Sequence, residues 1–178
     1  MSALIETERL VLKPWGQGDA DAALSIYAAP QVSRWLTPDL RSLRTPEDMK
    51  TVLRRWGDVE ERSAVGHWAA HSRDDGAVVG GLSLQYSPPG GDSVSIAWQL
   101  APTAWGHGYA TEAGAALIRW AMHERGLIEV FAVVQPDNER AAATAERIGM
   151  EWIAELGHLT QGKYQVYRIR HGDLDYHE

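Results

Sequence analysis

The chain contains no cysteine. That excludes disulfides, thiolate metal centres and a cysteine nucleophile, and it suits a reducing compartment such as the cytoplasm. No apolar run approaches the ~18 residues of a membrane span, and the start, M-S-A-L-I-E-T-E-R-L, has neither the positive region nor the apolar core of a secretory signal. Positive charge is in deficit: 17 lysines and arginines stand against 24 aspartates and glutamates, a net −7. This balance argues against nucleic acid or another extended polyanion as the main partner, and it favours a cationic substrate if some of the carboxylates line a cleft. Internal repeats, low-complexity tracts and linker-like stretches are missing too. The 178 residues are therefore expected to form one domain, 1–178, long enough to bury about 70% of its unfolded surface.

What is present divides at its turn signals. Thr7–Pro14 alternates around Leu10 and Leu12 and reads as a strand. Asp19 is a candidate N-cap for an alanine-rich helix to Ala28, and Thr45-Pro46-Glu47-Asp48 opens a second helix toward Glu61. His67–Ser72 and Ala77–Tyr86 flank Arg73-Asp74-Asp75-Gly76 as a hairpin, and Ser93–Leu100 follows the break at Pro88-Pro89-Gly90-Gly91 as another strand. Thr111–Arg125 is helical up to Gly126, Glu129–Val134 is β-rich, and Asn138–Ile148 is a short helix closed by Gly149. Glu151–Leu159 and Tyr164–Arg170 form a last hairpin around Gln161-Gly162. One strand, two helices, three strands, a helix, a strand, a helix and two strands predict an α+β fold with a mixed sheet of about seven strands.

The joint between Leu100 and the following helix, P-T-A-W-G-H-G-Y-A-T-E-A, puts Gly106 and Gly108 at a helix N-terminus. Unpaired N–H groups and the positive end of the helix dipole make such a place a seat for phosphate, although two glycines also serve a plain turn. A P-loop is excluded, because no Gly-Lys-Ser/Thr follows. A dinucleotide fingerprint is excluded as well: Thr111 replaces its third glycine, and Glu129 begins its strand where the ribose-binding acid would end one.

The run S-I-A-W-Q-L-A-P-T-A-W-G-H-G-Y-A-T-E-A, followed by N-E-R-A-A-A-T-A-E-R-I-G-M from Asn138 to Met150, resembles the GNAT superfamily of acetyl-CoA-dependent N-acetyltransferases. With E-T-E-R-L-V-L-K-P and the closing hairpin it is most similar to the branch that acetylates ribosomal-protein N-termini, the RimJ/RimL-like enzymes. The resemblance implies a single GNAT domain with a twisted, mostly antiparallel sheet, flanking helices and splayed central strands. It implies acetyl-CoA as co-substrate, no metal, and an amine acceptor, most simply a protein or peptide N-terminal α-amine. Residue by residue, it assigns Trp98, Gln99 and Leu100 to the pantetheine arm, with the Leu100 backbone as the oxyanion contact. It assigns Trp105, Gly106, His107, Gly108, Tyr109, Ala110 and Thr111 to the pyrophosphate cradle, and Asn138 to a polar contact with the cofactor arm. A small-molecule amine acceptor and a non-catalytic acyl-CoA-binding regulator remain as alternatives, and the chain is expected to be a monomer or homodimer.

The departures from that pattern concern the chemistry. Trp105 replaces a usual Gln or Arg, Ala145 stands where many members carry the tyrosine that protonates the leaving thiolate, Ala141 replaces a common serine, and Ser95 a common glutamate. Other candidates read as structural. His67 and His71 lack the helix and glutamate of a zinc motif. Glu112, in the first turn of its helix, is better explained by the helix dipole than as a base. His107 reads as an exposed side chain beside a phosphate. Trp68, Trp98, Trp120 and Trp152 read as core, Tyr164 and Tyr167 of the last strand as core too, though they are the candidates should a side chain act as acid, and Trp35 as the candidate substrate-lining residue.

Overall fold

A computed structural model describes residues 4–58, 63–87, 91–158 and 162–176. In chain order the strands are β1 (Ile5–Glu6), β2 (Leu10–Pro14), β3 (Gly66–Ser72), β4 (Val78–Tyr86), β5 (Val94–Leu100), β6 (Glu129–Val134), β7 (Glu151–His158) and β8 (Gly162–Arg170). The helices are α1 (Ala20–Tyr27), α2 (Pro30–Ser33), α3 (Pro38–Arg41) and α4 (Pro46–Gly57) before β3, α5 (Tyr109–Arg125) between β5 and β6, and α6 (Glu139–Ile148) between β6 and β7. The sheet has eight strands, one more than expected, in the order β1-β2-β3-β4-β5-β6-β8-β7. The extra strand is Ile5–Glu6, just before the expected first strand, and Thr7 turns the chain between the two. Its hydroxyl accepts from the Leu10 N–H at 2.9 Å, and Ile5 then pairs with Leu12. No helix among the described residues is long and apolar enough to cross a membrane.

Local chemistry sets the helix limits. At α4, Thr45 Oγ1 accepts from the Asp48 N–H at 3.1 Å and Asp48 Oδ2 accepts from the Thr45 N–H at 3.0 Å, a reciprocal cap with Pro46 at the first helical position. The expected end of this helix at Glu61 lies outside the described residues, as do the turn at Pro88-Pro89-Gly90 and Leu159 and Gln161 of the last hairpin. Asp19 does precede α1, yet its carboxylate accepts from the Gly16 N–H at 2.8 Å instead of capping the helix. α2 and α3, each four residues long and each starting at a proline, fill the stretch between α1 and α4 where the sequence reading has no helix.

The sheet separates two cores. One face packs on α5 and α6 through Leu10, Leu82, Leu84, Ile96, Leu117 and Val130. The other packs on α1–α4 through Trp15, Ile26, Tyr27, Met49 and Leu53. Only glycine fits at position 81 in β4, since a Cβ would lie 2.5 Å from the Tyr27 hydroxyl and 2.8 Å from the Trp15 ring. Trp68 is buried in the first core. Trp152, read as core from its strand position, is instead 53% exposed on β7. It lies on the last strand of the sheet, where its indole N–H donates to Gln165.

The decisive feature is the join between β5 and β6. β4 and β5 pair continuously from Tyr86↔Val94 to Gly80↔Leu100, whereas β5 and β6, the parallel pair, meet at Ser95↔Phe131 alone. Beyond that point the two strands diverge. Ala101 donates to Val79 and Ser87 donates to Ser93, each at 2.9 Å, so the odd-numbered residues of β5 turn their amides toward β4. Backbone groups alternate sides along an antiparallel ladder, and those of Trp98 and Leu100 therefore point into the gap that β6 has left.

Candidate active site

The gap is the floor of a cleft of about 850 Å³, walled by the α2–Trp35 segment, the loop after β5, the first turns of α5 and α6, and the end of β6. Trp98, Gln99, Leu100, Trp105, Gly106, Gly108, Tyr109, Ala110, Thr111, Asn138 and Trp35 all line it. His107 does not: its ring is exposed, stacks on Tyr109 at 5.5 Å, and borders a separate small hollow.

Gly106 and Gly108 adopt φ of +82° and +76°, left-handed values that glycine reaches without a Cβ penalty. A Cβ at Gly106 would meet nothing within 4 Å, so the loop is open on that side. No side chain caps the 17-residue α5, which leaves its first N–H groups available to an anion. Arg140 and Arg147 bring positive charge to the opposite wall. These residues suit the phosphates of a coenzyme A group.

Two contacts brace the cleft. The indole N–H of Trp105 donates to the Leu100 carbonyl at 3.1 Å, while the Arg140 guanidinium lies 3.9 Å over the same indole and joins loop to α6. On the other side Gln135, at the end of β6, donates its side-chain amide to the Trp35 carbonyl, and Arg34 lies 4.5 Å over the Trp35 ring. Gln135 and Arg140 carry no motif of their own, which is why the sequence does not single them out.

Asn138 serves the helix that it precedes. Its side-chain oxygen accepts from the Ala141 N–H at 3.2 Å and caps α6. Glu112 is tied down. It accepts from the Thr7 hydroxyl at 2.6 Å, the Arg9 N–H at 2.9 Å and Arg9 Nε at 2.7 Å. Burial alone would raise its pKa, but these bonds and the Arg9 charge outweigh burial and hold it below the usual glutamate value. A carboxylate so engaged is a fastener between α5 and the β1–β2 turn. Ser95 shares a hydrogen bond with Ser87, and Ala145 is fully buried. Neither supplies an acid or base.

Among the described residues, no group of histidines and carboxylates could hold a metal ion. His67 stacks on Trp56 at 4.1 Å, and burial lowers its pKa to about 4. Tyr167 is core, 5% exposed, with its pKa raised by burial and then by Glu146. Neither Tyr164 nor Tyr167 is among the residues lining the cleft, whereas Tyr109 is. Gln99 accepts from the buried Tyr27 hydroxyl at 3.4 Å, and burial raises that phenol's pKa.

A sheet opened between two parallel strands, with a glycine-lined helix start at the mouth of the gap, offers unpaired backbone groups to an extended ligand that ends in phosphate. Over residues 9–151 the sequence matches the acetyltransferase (GNAT) domain, and the chain belongs to that family as an N-acetyltransferase. It is 22% identical over 165 residues to the uncharacterized N-acetyltransferase YoaA of Bacillus subtilis (strain 168), covering 93% of this chain and 90% of that one. Its fold is similar to that of the ribosomal-protein-S5-alanine acetyltransferase of Vibrio fischeri, with a TM-score of 0.78, 14% identity and coverage of 97% and 99%. It is also similar to Mycobacterium smegmatis RimJ in complex with CoA-disulfide, with a TM-score of 0.79, 20% identity and coverage of 93% and 83%. At these identities the structures share the fold.

Proposed function

We propose that the chain acetylates the N-terminal α-amine of a protein or peptide, with acetyl-CoA supplying the activated acyl group. Trp98 and Leu100 offer backbone groups to the pantetheine arm, and the N–H groups of residues 106–111 offer themselves to the pyrophosphate. The Leu100 N–H donates to the carbonyl oxygen as negative charge develops on it. The acceptor amine attacks directly: the C–N bond forms, the C–S bond breaks, and the thiol is released.

The observation that carries this reading is the lining of the cleft. Among its described residues there is no histidine, and its carboxylates, Asp137 and Glu139, are exposed. Such a site is poorly equipped to strip a proton from a strongly basic amine. An α-amine with pKa near 8 is neutral at pH 7 about two hundred times more often than a lysine near 10.4. The Vibrio fischeri neighbour, by its name an alanine acetyltransferase of a ribosomal protein, supports the same class of acceptor.

The test is release of free thiol from acetyl-CoA over a panel of alanyl and seryl peptides, an N-acetylated lysyl peptide, spermidine and kanamycin, beside thermal-shift titration with acetyl-CoA. Turnover of free-N-terminal peptides above the rest is expected. Preference for spermidine or kanamycin would replace this reading with a small-molecule acetyltransferase, and a thermal shift with no turnover of any amine would make the chain an acyl-CoA-binding protein.

A further inference from the structure

Asp137 is the one non-glycine residue with positive φ among the described residues, at +66°. It occupies the third position of a turn closed by the Asn138 N–H donating to the Gln135 carbonyl at 3.2 Å. Pro136 fixes the second position near −65°, so the pattern is a type II turn, whose third position favours glycine or asparagine. A side chain held in the left-handed region is strained by about 1 kcal/mol or more. Strain of this kind is informative where the residue borders a functional site.

Asp137 borders one. It lines the cleft, it is exposed, and its carboxylate makes no hydrogen bond or ion pair with the described residues. The turn that carries it is anchored: Gln135 is bonded to the Trp35 carbonyl, and Asn138 caps α6. The other charged side chains at the cleft are the guanidiniums of Arg34, Arg140 and Arg147 and the carboxylate of Glu139. Three of those four repel a cation. Glu139 lies in the first turn of α6, where the helix dipole accounts for an acid. Asp137 stands outside the helix, one residue before its N-cap.

We infer that Asp137 is the acceptor-binding carboxylate, fixed by its turn to receive the ammonium of the incoming amine against the repulsion of Arg34. The inference rests on the chain's acting on amines and holds for α-amines and polyamines alike. The test uses two variants of the full chain, Asp137→Asn, which keeps the shape and removes the charge, and Asp137→Gly, which removes both the charge and the strain. The probes are an alanyl tetrapeptide and spermidine. With whichever is turned over, Asp137→Asn is expected to raise the acceptor KM roughly tenfold, while the acetyl-CoA KM stays within about twofold. Asp137→Gly is expected to show the same acceptor defect with a Tm equal to or above that of the native chain. An unchanged acceptor KM in Asp137→Asn, a parallel rise in both KM values, or native kinetics in Asp137→Gly would overturn the assignment. Turnover of spermidine alone would refute the α-amine reading and leave the variants to decide Asp137 on that probe; turnover of neither would count against both.

Discussion

The Trp105 indole and the Leu100 carbonyl are joined by a 3.1 Å hydrogen bond at the point where β5 ends and the glycine loop begins. The bond fixes which way the end of β5 faces. In a strand, the N–H and C=O of one residue share a side, so a carbonyl engaged from the cleft means that the Leu100 N–H also faces the cleft. Trp105→Phe keeps an aromatic face for Arg140 and deletes the donor. A hydrogen bond worth about 1 kcal/mol corresponds to roughly a fivefold loss, expected as a higher acetyl-CoA KM with little change in Tm. A lower Tm with native KM would restrict the bond to stability.

Asn138 has one observed role and one proposed role to separate. Its oxygen caps α6, and its amide N–H groups remain for the cofactor arm. Asn138→Ala removes both and is expected to lower stability by about 1 kcal/mol and kcat/KM by roughly tenfold. Asn138→Asp keeps the cap and suits the helix dipole, but it cannot donate. It should therefore hold the native Tm while still losing activity. Native kinetics in Asn138→Asp would reduce the residue to a helix cap.

Much of this was legible in the sequence because it depends on local signals. The Thr45–Asp48 cap, the glycines that end α5 and α6, and the Leu10–Leu12 alternation of β2 are written within a few residues each. The glycine loop was legible for the same reason; of the residues proposed from the sequence for cofactor and substrate, all but His107 line the cleft, and the direction of His107 depends on how one loop residue turns. What was hidden depends on contacts far apart in the chain. Glu112 meets Thr7 and Arg9 across more than a hundred positions, and Gln135 meets Trp35 across a separation of 100. The exposure of Trp152 follows from β7 being an edge strand, which no pattern within β7 reveals. Asp137 was invisible because its signal is a backbone angle.

The Glu112 fastener should appear in the acid limb of stability. Its pKa is lowered in the folded chain, so its contribution is fully present above the ordinary glutamate value of about 4.3 and fades as pH falls through the lower folded value. Glu112→Gln is expected to lose about 1–2 kcal/mol at pH 7, a figure reduced for the half-exposed Arg9. The gap between native and variant should narrow toward pH 3. Urea denaturation across that range measures it, and a gap that is constant with pH would mean that shape, not charge, fastens α5.

The departing thiolate needs a proton, and the cleft offers few sources. Ala141 and Ala145 supply no donor on α6, Tyr167 is buried in the core, and the tyrosine that lines the cleft is Tyr109, beneath the Arg9 guanidinium at 4.6 Å. If no side chain acts as acid, the thiolate takes its proton from the nitrogen that attacked the thioester or from water, which a thiol pKa of about 8.5 permits near neutrality. The kcat/KM for a peptide acceptor should then rise with pH as the α-amine loses its proton, and level off above about pH 8. A descending alkaline limb requires a group that must stay protonated in the rate-limiting step. The measurement is kcat/KM from about pH 6 to 10 for the native chain, Tyr109→Phe and Tyr167→Phe. A plateau in all three supports direct transfer without a protein acid. An alkaline limb that disappears in Tyr109→Phe alone would make Tyr109 the acid; one that disappears in Tyr167→Phe would require the core around β8 to open to the cleft during turnover.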